Sequence, residues 1–163
     1  MIRTTRAIFA TSFTIAIGLF AGGVALGALL HLAACPLCII QRMLYLLFGL
    51  AALFGLVFRG SLAGRGIAIA LMLLSAGVGT FVAGYQTWLQ HFPTGIGCAA
   101  NSPWWEAFVY WAGEKLPLLF QAGGVCEESS WKLFGLSIAE YSLIAFSGLT
   151  VLAVYALVRR YKA

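Results

Sequence analysis

Apolar residues run almost unbroken through four stretches of the chain: Ala7–Leu30, Ile39–Phe58, Gly66–Leu89 and Ile138–Val158. Each supplies the roughly 20 mostly apolar residues that a helix needs to cross a hydrocarbon core about 30 Å thick. All four prolines (Pro36, Pro93, Pro103, Pro117) fall outside these stretches. This suits intact helices in lipid, because a mid-helix proline removes a hydrogen bond that lipid does not replace. The pattern predicts an all-α membrane protein, a four-helix transmembrane bundle forming a single domain over residues 1–163. The first stretch follows Arg3 and Arg6 and offers small residues at Ala25–Ala28, as a signal peptide does. It is longer than the about 7–15 apolar residues of a signal peptide, so an uncleaved anchor is expected.

Small residues mark the helix faces. Gly18 with Gly22, and Gly23 with Gly27, make two GxxxG pairs, and Ser75, Gly79 and Ala83 continue small-xxx-small spacing in the third stretch. Such residues let helix backbones approach closely, so they are expected to build a tight bundle. Within the long segment Gln90–Ser137, Ser102 and Pro103 suit an N-cap and a first helical position. Trp104, Phe108 and Trp111 follow at helical spacing, with Trp105 and Val109 alongside. A short interfacial helix lying along the membrane surface is expected there, although periodicity alone fits a packed loop helix equally well. Ser137-Ile-Ala-Glu140 matches a capping box at the start of the fourth stretch, so Glu140 is read as a cap rather than a proton carrier.

Composition agrees with the pattern. The 163 residues are 62% hydrophobic and only 9% charged, with a mean hydropathy of +0.96, whereas soluble domains carry about 25% charged residues. A soluble enzyme and a disordered tail are excluded. The net charge of +5 does not point to nucleic acid. Arg3, Arg6, Arg59, Arg65, Arg159, Arg160 and Lys162 sit at the termini or in the Arg59–Arg65 loop, with no base-stacking motif beside them. By the positive-inside rule, the termini and this loop are cytoplasmic. The His31–Cys38 turn (31–38) and the long loop (90–137) then face the exported side.

Those two segments hold all four cysteines, Cys35, Cys38, Cys98 and Cys126. The exported compartment permits disulfides, and four cysteines allow three pairings. Cys35 and Cys38 are close enough to pair locally, which leaves Cys98 with Cys126. Three readings compete. A structural Cys98–Cys126 bridge closing a long loop stabilises by about 2–4 kcal/mol. Four thiolates also suit zinc, but structural zinc sites show two short paired spacings, and Cys98 and Cys126 are far apart. The preferred reading is redox catalysis, because a C-x-x-C bridge closes too small a loop to stabilise much and such pairs are often redox-active.

Arg42 strengthens that reading. It lies four residues after Cys38, on the same face if the helix begins near Pro36. It also lies about one turn inside an apolar span, where a charge marks a functional site unless it snorkels to water. A helix start and a guanidinium both favour a thiolate. The same charge suits a reduced, anionic, lipid-soluble two-electron acceptor, and a quinone fits. Pro36 suits the first helical position and stiffens the turn. His31 and His91 are read as interfacial structural histidines, with no catalytic role assigned.

The run Cys35-Pro-Leu-Cys-Ile-Ile-Gln-Arg42 resembles the C-x-x-C-x-x-x-R signature of the bacterial disulfide bond formation protein DsbB family. The resemblance extends over essentially the whole chain: four spans, a second exported cysteine pair, and the segment Trp131-Lys-Leu-Phe-Gly-Leu-Ser-Ile-Ala-Glu-Tyr-Ser-Leu143 leading into the last helix. It implies an inner-membrane protein-disulfide:quinone oxidoreductase whose partner is a periplasmic thioredoxin-fold oxidase of the DsbA type. The partner's thiol would attack a Cys98–Cys126 disulfide at Cys98. Cys126 would be reoxidised through Cys35, and Cys38 would pass the electron pair to quinone, ubiquinone under aeration or menaquinone. Arg42 matches the family's quinone-associated arginine. Vitamin K epoxide reductase-like enzymes are the nearest rival, but their C-x-x-C lies late in the bundle. A non-enzymatic membrane protein with a disulfide-stapled loop is the rival of another class, and Arg42 below a C-x-x-C argues against it.

Overall fold

The computed structural model describes residues 2–58, 60–92, 104–127 and 131–161. Among these residues, four helices are long and apolar enough to cross a membrane. They are α1 (Ile2–Leu29), α2 (Pro36–Val57) and α3 (Leu62–His91), with α6 (Ile138–Tyr161) closing the chain. Between α3 and α6 lie α4 (Trp104–Lys115), the single turn α5 (Pro117–Phe120) and a hairpin of β1 (Lys132–Leu133) with β2 (Leu136–Ser137). The fold is an all-α four-helix membrane protein, as the hydropathy pattern predicts.

Local chemistry sets the helix ends. At the end of α1, His31 takes a left-handed φ of 49° and the Leu32 amide donates to the Gly27 carbonyl at 3.0 Å. This is the i to i+5 bond of a Schellman end, and it gives His31 a structural place. Ser61 caps α3, its hydroxyl accepting from the Gly64 amide at 3.2 Å. The helix therefore starts at Leu62 rather than at the expected Gly66, and Arg65 lies in its first turns instead of in a loop. α3 also runs on to His91, two residues past the expected Leu89, whereas α2 begins at Pro36, the first helical position expected of that proline. Apolarity locates the part of a helix in lipid, whereas capping places its ends, so these ends were misjudged from hydropathy.

The capping box at α6 is present in both directions. The Ser137 amide donates to Glu140 Oε2 at 2.6 Å, and the Glu140 amide donates to Ser137 Oγ at 3.3 Å. The hairpin before it turns through Phe134 (φ 50°) and Gly135 (φ 85°), the paired left-handed residues of a two-residue turn.

The four long helices pack in the order α1–α2–α3–α6, with α1 touching α6 only lightly. Between them lies one core built on Phe9, Tyr45, Phe48, Met72 and Phe146 with many alanines. Tyr45 and Phe146 stack with centroids 4.1 Å apart. Gly55 takes the Phe9 ring at a distance no side chain tolerates, and Gly79 does the same for Phe146. The small residues of α3 thus pack as expected. Those of α1 do not: Gly18 and Gly22 meet nothing within 4 Å. The expectation that both α1 pairs tighten the bundle is corrected, because among the described residues no side chain packs on the face that Gly18 and Gly22 present, although α2 packs on another face of the same helix. In α4, Val109 and Ala112 face inward while Trp104, Phe108 and Trp111 are exposed, so the aromatic stripe read from the sequence lies on the outward face of the helix. The Ser102–Pro103 cap lies outside the described residues.

Candidate active site

The start of α2 brings two sulfurs together. Cys35 is its N-cap, Pro36 occupies the first turn, and the Cys38 amide donates to Cys35 Sγ at 3.3 Å. Because the cap places a side chain over the first turn, the sulfurs of Cys35 and Cys38 lie 2.9 Å apart, both as thiols, with Cys35 donating. Cys35 is buried and Cys38 half-buried.

A third sulfur arrives from the long loop. The amides of Gly123 and Gly124 both donate to the Ala34 carbonyl, at 2.9 and 3.1 Å. A Cβ on Gly124 would run into the Ala33 carbonyl oxygen, so glycine there lets the two loops meet backbone to backbone. Two residues later Cys126 is fully buried, in one cluster with Cys35, Leu37 and Leu89. Hydrogen bonds with Cys126 and then Cys38, followed by burial, push the Cys35 thiol well above its ordinary range.

Two buried amides complete the shell. Gln86 of α3 donates from Nε2 to Cys35 Sγ at 3.2 Å and to Cys38 Sγ at 3.1 Å. Gln41 of α2 donates from its own Nε2 to Gln86 Oε1 at 2.7 Å. Both glutamines are almost wholly buried, at 4% and 2% exposure for Gln41 and Gln86. An unpaired amide in an apolar setting costs several kcal/mol, so the pair is a specified feature.

Arg42 does not snorkel to water. Its guanidinium donates to the Gly23 carbonyl at 2.9 Å and to the Leu119 carbonyl at 3.2 Å, tying α1 and the α5 turn to α2. A Cβ on Gly27 would lie 2.9 Å from the guanidinium. The second α1 glycine pair, expected to seat a helix, therefore makes room for a cation. Arg42, Gln41, Gln86, Cys35 and Cys38 line one partly open cavity of about 110 Å³. A shallower apolar groove adjoins it between α1 and α6, floored by Gly18 and Gly22 and flanked by Leu133 and Tyr141.

Of the residues singled out from sequence, Cys35, Cys38, Cys126 and Arg42 come together here, and Cys98 lies outside the described residues. Sequence reasoning missed Gln41 and Gln86, although a polar amide inside an apolar span is itself a signal. His91 stands apart from the sulfurs, its Nδ1 at 2.9 Å from the Thr87 carbonyl and its Nε2 at 3.7 Å from Glu140.

The family model described as disulfide bond formation protein DsbB matches residues 5–156. The chain is 43% identical over 163 residues to disulfide bond formation protein B of Dechloromonas aromatica (strain RCB), covering 97% of this chain and 95% of that one. It is 34% identical to the protein of that name from Nitrosospira multiformis, with 97% and 94% covered. The similarity to the Aromatoleum aromaticum protein is 31%, over 96% and 95% of the two chains.

Proposed function

The chain belongs to the DsbB family of disulfide bond formation proteins, and from that premise we propose that it reoxidises a DsbA-type dithiol oxidase and passes the electron pair to membrane quinone. Family and helices together make it a multi-pass inner-membrane protein with an oxidoreductase part in disulfide bond formation. The observation that carries the finer reading is the seating of Cys126 against Cys35, whose partner Cys38 shares a cavity with Arg42.

Thiol–disulfide exchange proceeds through mixed disulfides, and the cycle balances as follows. A thiolate of the reduced partner attacks Cys98 of a Cys98–Cys126 disulfide, which joins the partner to Cys98 and releases Cys126 as a thiolate. The partner's second thiolate displaces Cys98 and leaves as the oxidised oxidase. Cys126 attacks Cys35 of a Cys35–Cys38 disulfide, forming Cys35–Cys126 and leaving an electron pair on Cys38. Cys98 then attacks Cys126, restoring the loop disulfide and releasing Cys35. Cys35 and Cys38 now hold the two electrons that came from the partner.

A quinone supplies, when bound, a lipid-soluble acceptor for two electrons and two protons. The residues fit such a group. Arg42 has five N–H donors, of which the described carbonyl contacts use two, so donors remain for a carbonyl oxygen. Leu19 and Leu26 make the wall apolar. The α1–α6 groove continues the cavity along the lipid-facing side and suits an isoprenoid tail. Ubiquinone and menaquinone share this chemistry. Re-forming the Cys35–Cys38 bond returns the protein to its starting state. The basic side chains Arg6, Arg65 and Arg159 at the far ends of the helices support cytoplasmic termini and periplasmic cysteine loops.

The test is quinol formation by the purified full chain with a reduced DsbA-type oxidase and quinone. Activity is expected, with Cys38→Ser abolishing it and Arg42→Ala raising the quinone KM at least tenfold. Wild-type protein that oxidises no partner, or that does so with no quinol formed, overturns the proposal.

A further inference from the structure

We propose that Gln86 is a catalytic residue of the electron-accepting step, in which the Cys35–Cys38 disulfide opens and its amide N–H groups hold Cys38 as it leaves as an anion, and that Gln41 is the positioning residue that keeps that amide the right way round. The inference rests on the functional reading above and adds two residues to it.

The geometry carries the argument. One amide nitrogen lies 3.2 Å from Cys35 Sγ and 3.1 Å from Cys38 Sγ, so a single group spans both atoms between which the disulfide opens and closes. An amide has two N–H hydrogens and one acceptor oxygen. Turned by a half-rotation, Gln86 would present its oxygen to the sulfurs, and an oxygen facing a thiolate is repelled rather than bound. The bond that prevents this turn is the donation from Gln41 Nε2 to Gln86 Oε1 at 2.7 Å, because that oxygen then faces α2. Arg42, by contrast, directs its described hydrogen bonds to backbone carbonyls, not to sulfur. The division of labour is thus an amide on the sulfurs and a guanidinium at the cavity wall.

Hydrogen bonds to an ion are about twice as strong as neutral ones, so the Gln86 amide stabilises the opened, reduced pair more than the closed disulfide. The dithiol couple is therefore more oxidising with Gln86 than without it, which favours accepting electrons from Cys126. In Gln86→Met the chain length is kept and the donors are lost, while Gln41→Met leaves Gln86 unanchored. Each single change also strands a buried amide, so each is expected to destabilise the fold. The double variant strands nothing, because removing both partners of a buried pair is much milder than removing one. Stability and chemistry should therefore separate.

The experiment measures the Cys35–Cys38 equilibrium of the full chain against glutathione in detergent, alongside thermal stability and quinone turnover. Gln86→Met is expected to shift the equilibrium about tenfold toward the disulfide, a fall of about 30 mV, with kcat down about tenfold and quinone KM within twofold. Gln41→Met is expected to shift both in the same direction by about threefold. The double variant should recover stability yet keep the full Gln86→Met shift. An unchanged equilibrium in Gln86→Met, or a double variant whose equilibrium returns with its stability, overturns the inference. The glutathione readout needs no quinone. A wild type that fails to reduce quinone therefore sinks the functional reading alone, whereas an unmoved equilibrium sinks this one.

Discussion

Where α3 meets α6, Gly79 lies directly under the Phe146 ring and Ser75, Ala76 and Ala83 are buried beside it. Where α1 passes α6, Gly18 and Gly22 meet nothing within 4 Å and line an open groove. Both seams carry small residues at helical spacing. One closes, because the Phe146 ring on the neighbour fills the notch that Gly79 leaves. The other stays open because, among the described residues, no neighbouring side chain enters it. Burial tracks the difference: 11% of the most apolar stretch of α1 is buried, against 39% of that of α3. Small residues therefore permit close approach without causing it, and the surrounding large residues decide which seam becomes core and which becomes a way in from the lipid.

The sharpest way to break the closed seam is Gly79→Val. The Phe146 ring has nowhere to go, since it stacks on Tyr45 at 4.1 Å and the Tyr45 hydroxyl is held 2.8 Å from Ser142 Oγ. Overpacking of this kind costs about 1–3 kcal/mol, and a ring pinned on its far face belongs at the upper end. The expected result is a Tm lowered by about 5–10 °C in detergent. Tyr45 also lines the sulfur cavity, so quinone turnover should fall with it. A variant as stable as the parent would mean that the seam is less closed than the Gly79–Phe146 contact implies.

The open seam is tested by filling it. Gly22→Leu places a side chain where nothing lies within 4 Å, so stability should stay within about 0.5 kcal/mol, as for changes that touch no packed feature. If the groove holds an isoprenoid tail, the KM for a long-tailed quinone should rise about tenfold, equivalent to about 1.4 kcal/mol of lost contact. A tail-less analogue should be unaffected. Equal KM changes for both acceptors would place the tail elsewhere.

Much of this was legible in the sequence, and the rest was hidden for definite reasons. The four spans follow from apolar runs, and the α6 cap follows from Ser137 and Glu140, because both depend on local order along the chain. The fate of the α1 glycines was not legible, since GxxxG looks the same whether or not a neighbour arrives. Cys126 reaches Cys35 through hydrogen bonds from the Gly123 and Gly124 amides to the Ala34 carbonyl, a pairing of two loops that no spacing encodes. Gln41 and Gln86 lie on different helices, and only their facing registers make them a pair. The two-residue strands of the hairpin are too short for an alternating pattern to register.

The smallest effect concerns a contact that suggests glue at the closed seam. Thr80 Oγ1 and Thr150 Oγ1 lie 3.3 Å apart across α3 and α6. Interhelical hydrogen bonds in membranes average about 0.6 kcal/mol and reach about 1.7, which would make this pair a sizeable part of the seam. Each hydroxyl, however, has one hydrogen to give. Thr80 donates to the Ala76 carbonyl at 2.9 Å and Thr150 to the Phe146 carbonyl at 2.9 Å. With both hydrogens turned back onto their own helices, the two oxygens face each other with nothing between them to share. Thr150→Val keeps the shape and removes the hydroxyl, so its expected cost is below about 0.5 kcal/mol, read from the unfolding midpoint in a graded denaturing detergent. A loss above about 1 kcal/mol would mean that one hydroxyl points across the seam, and that hydrogen bonding shares with the Gly79–Phe146 fit in holding it shut.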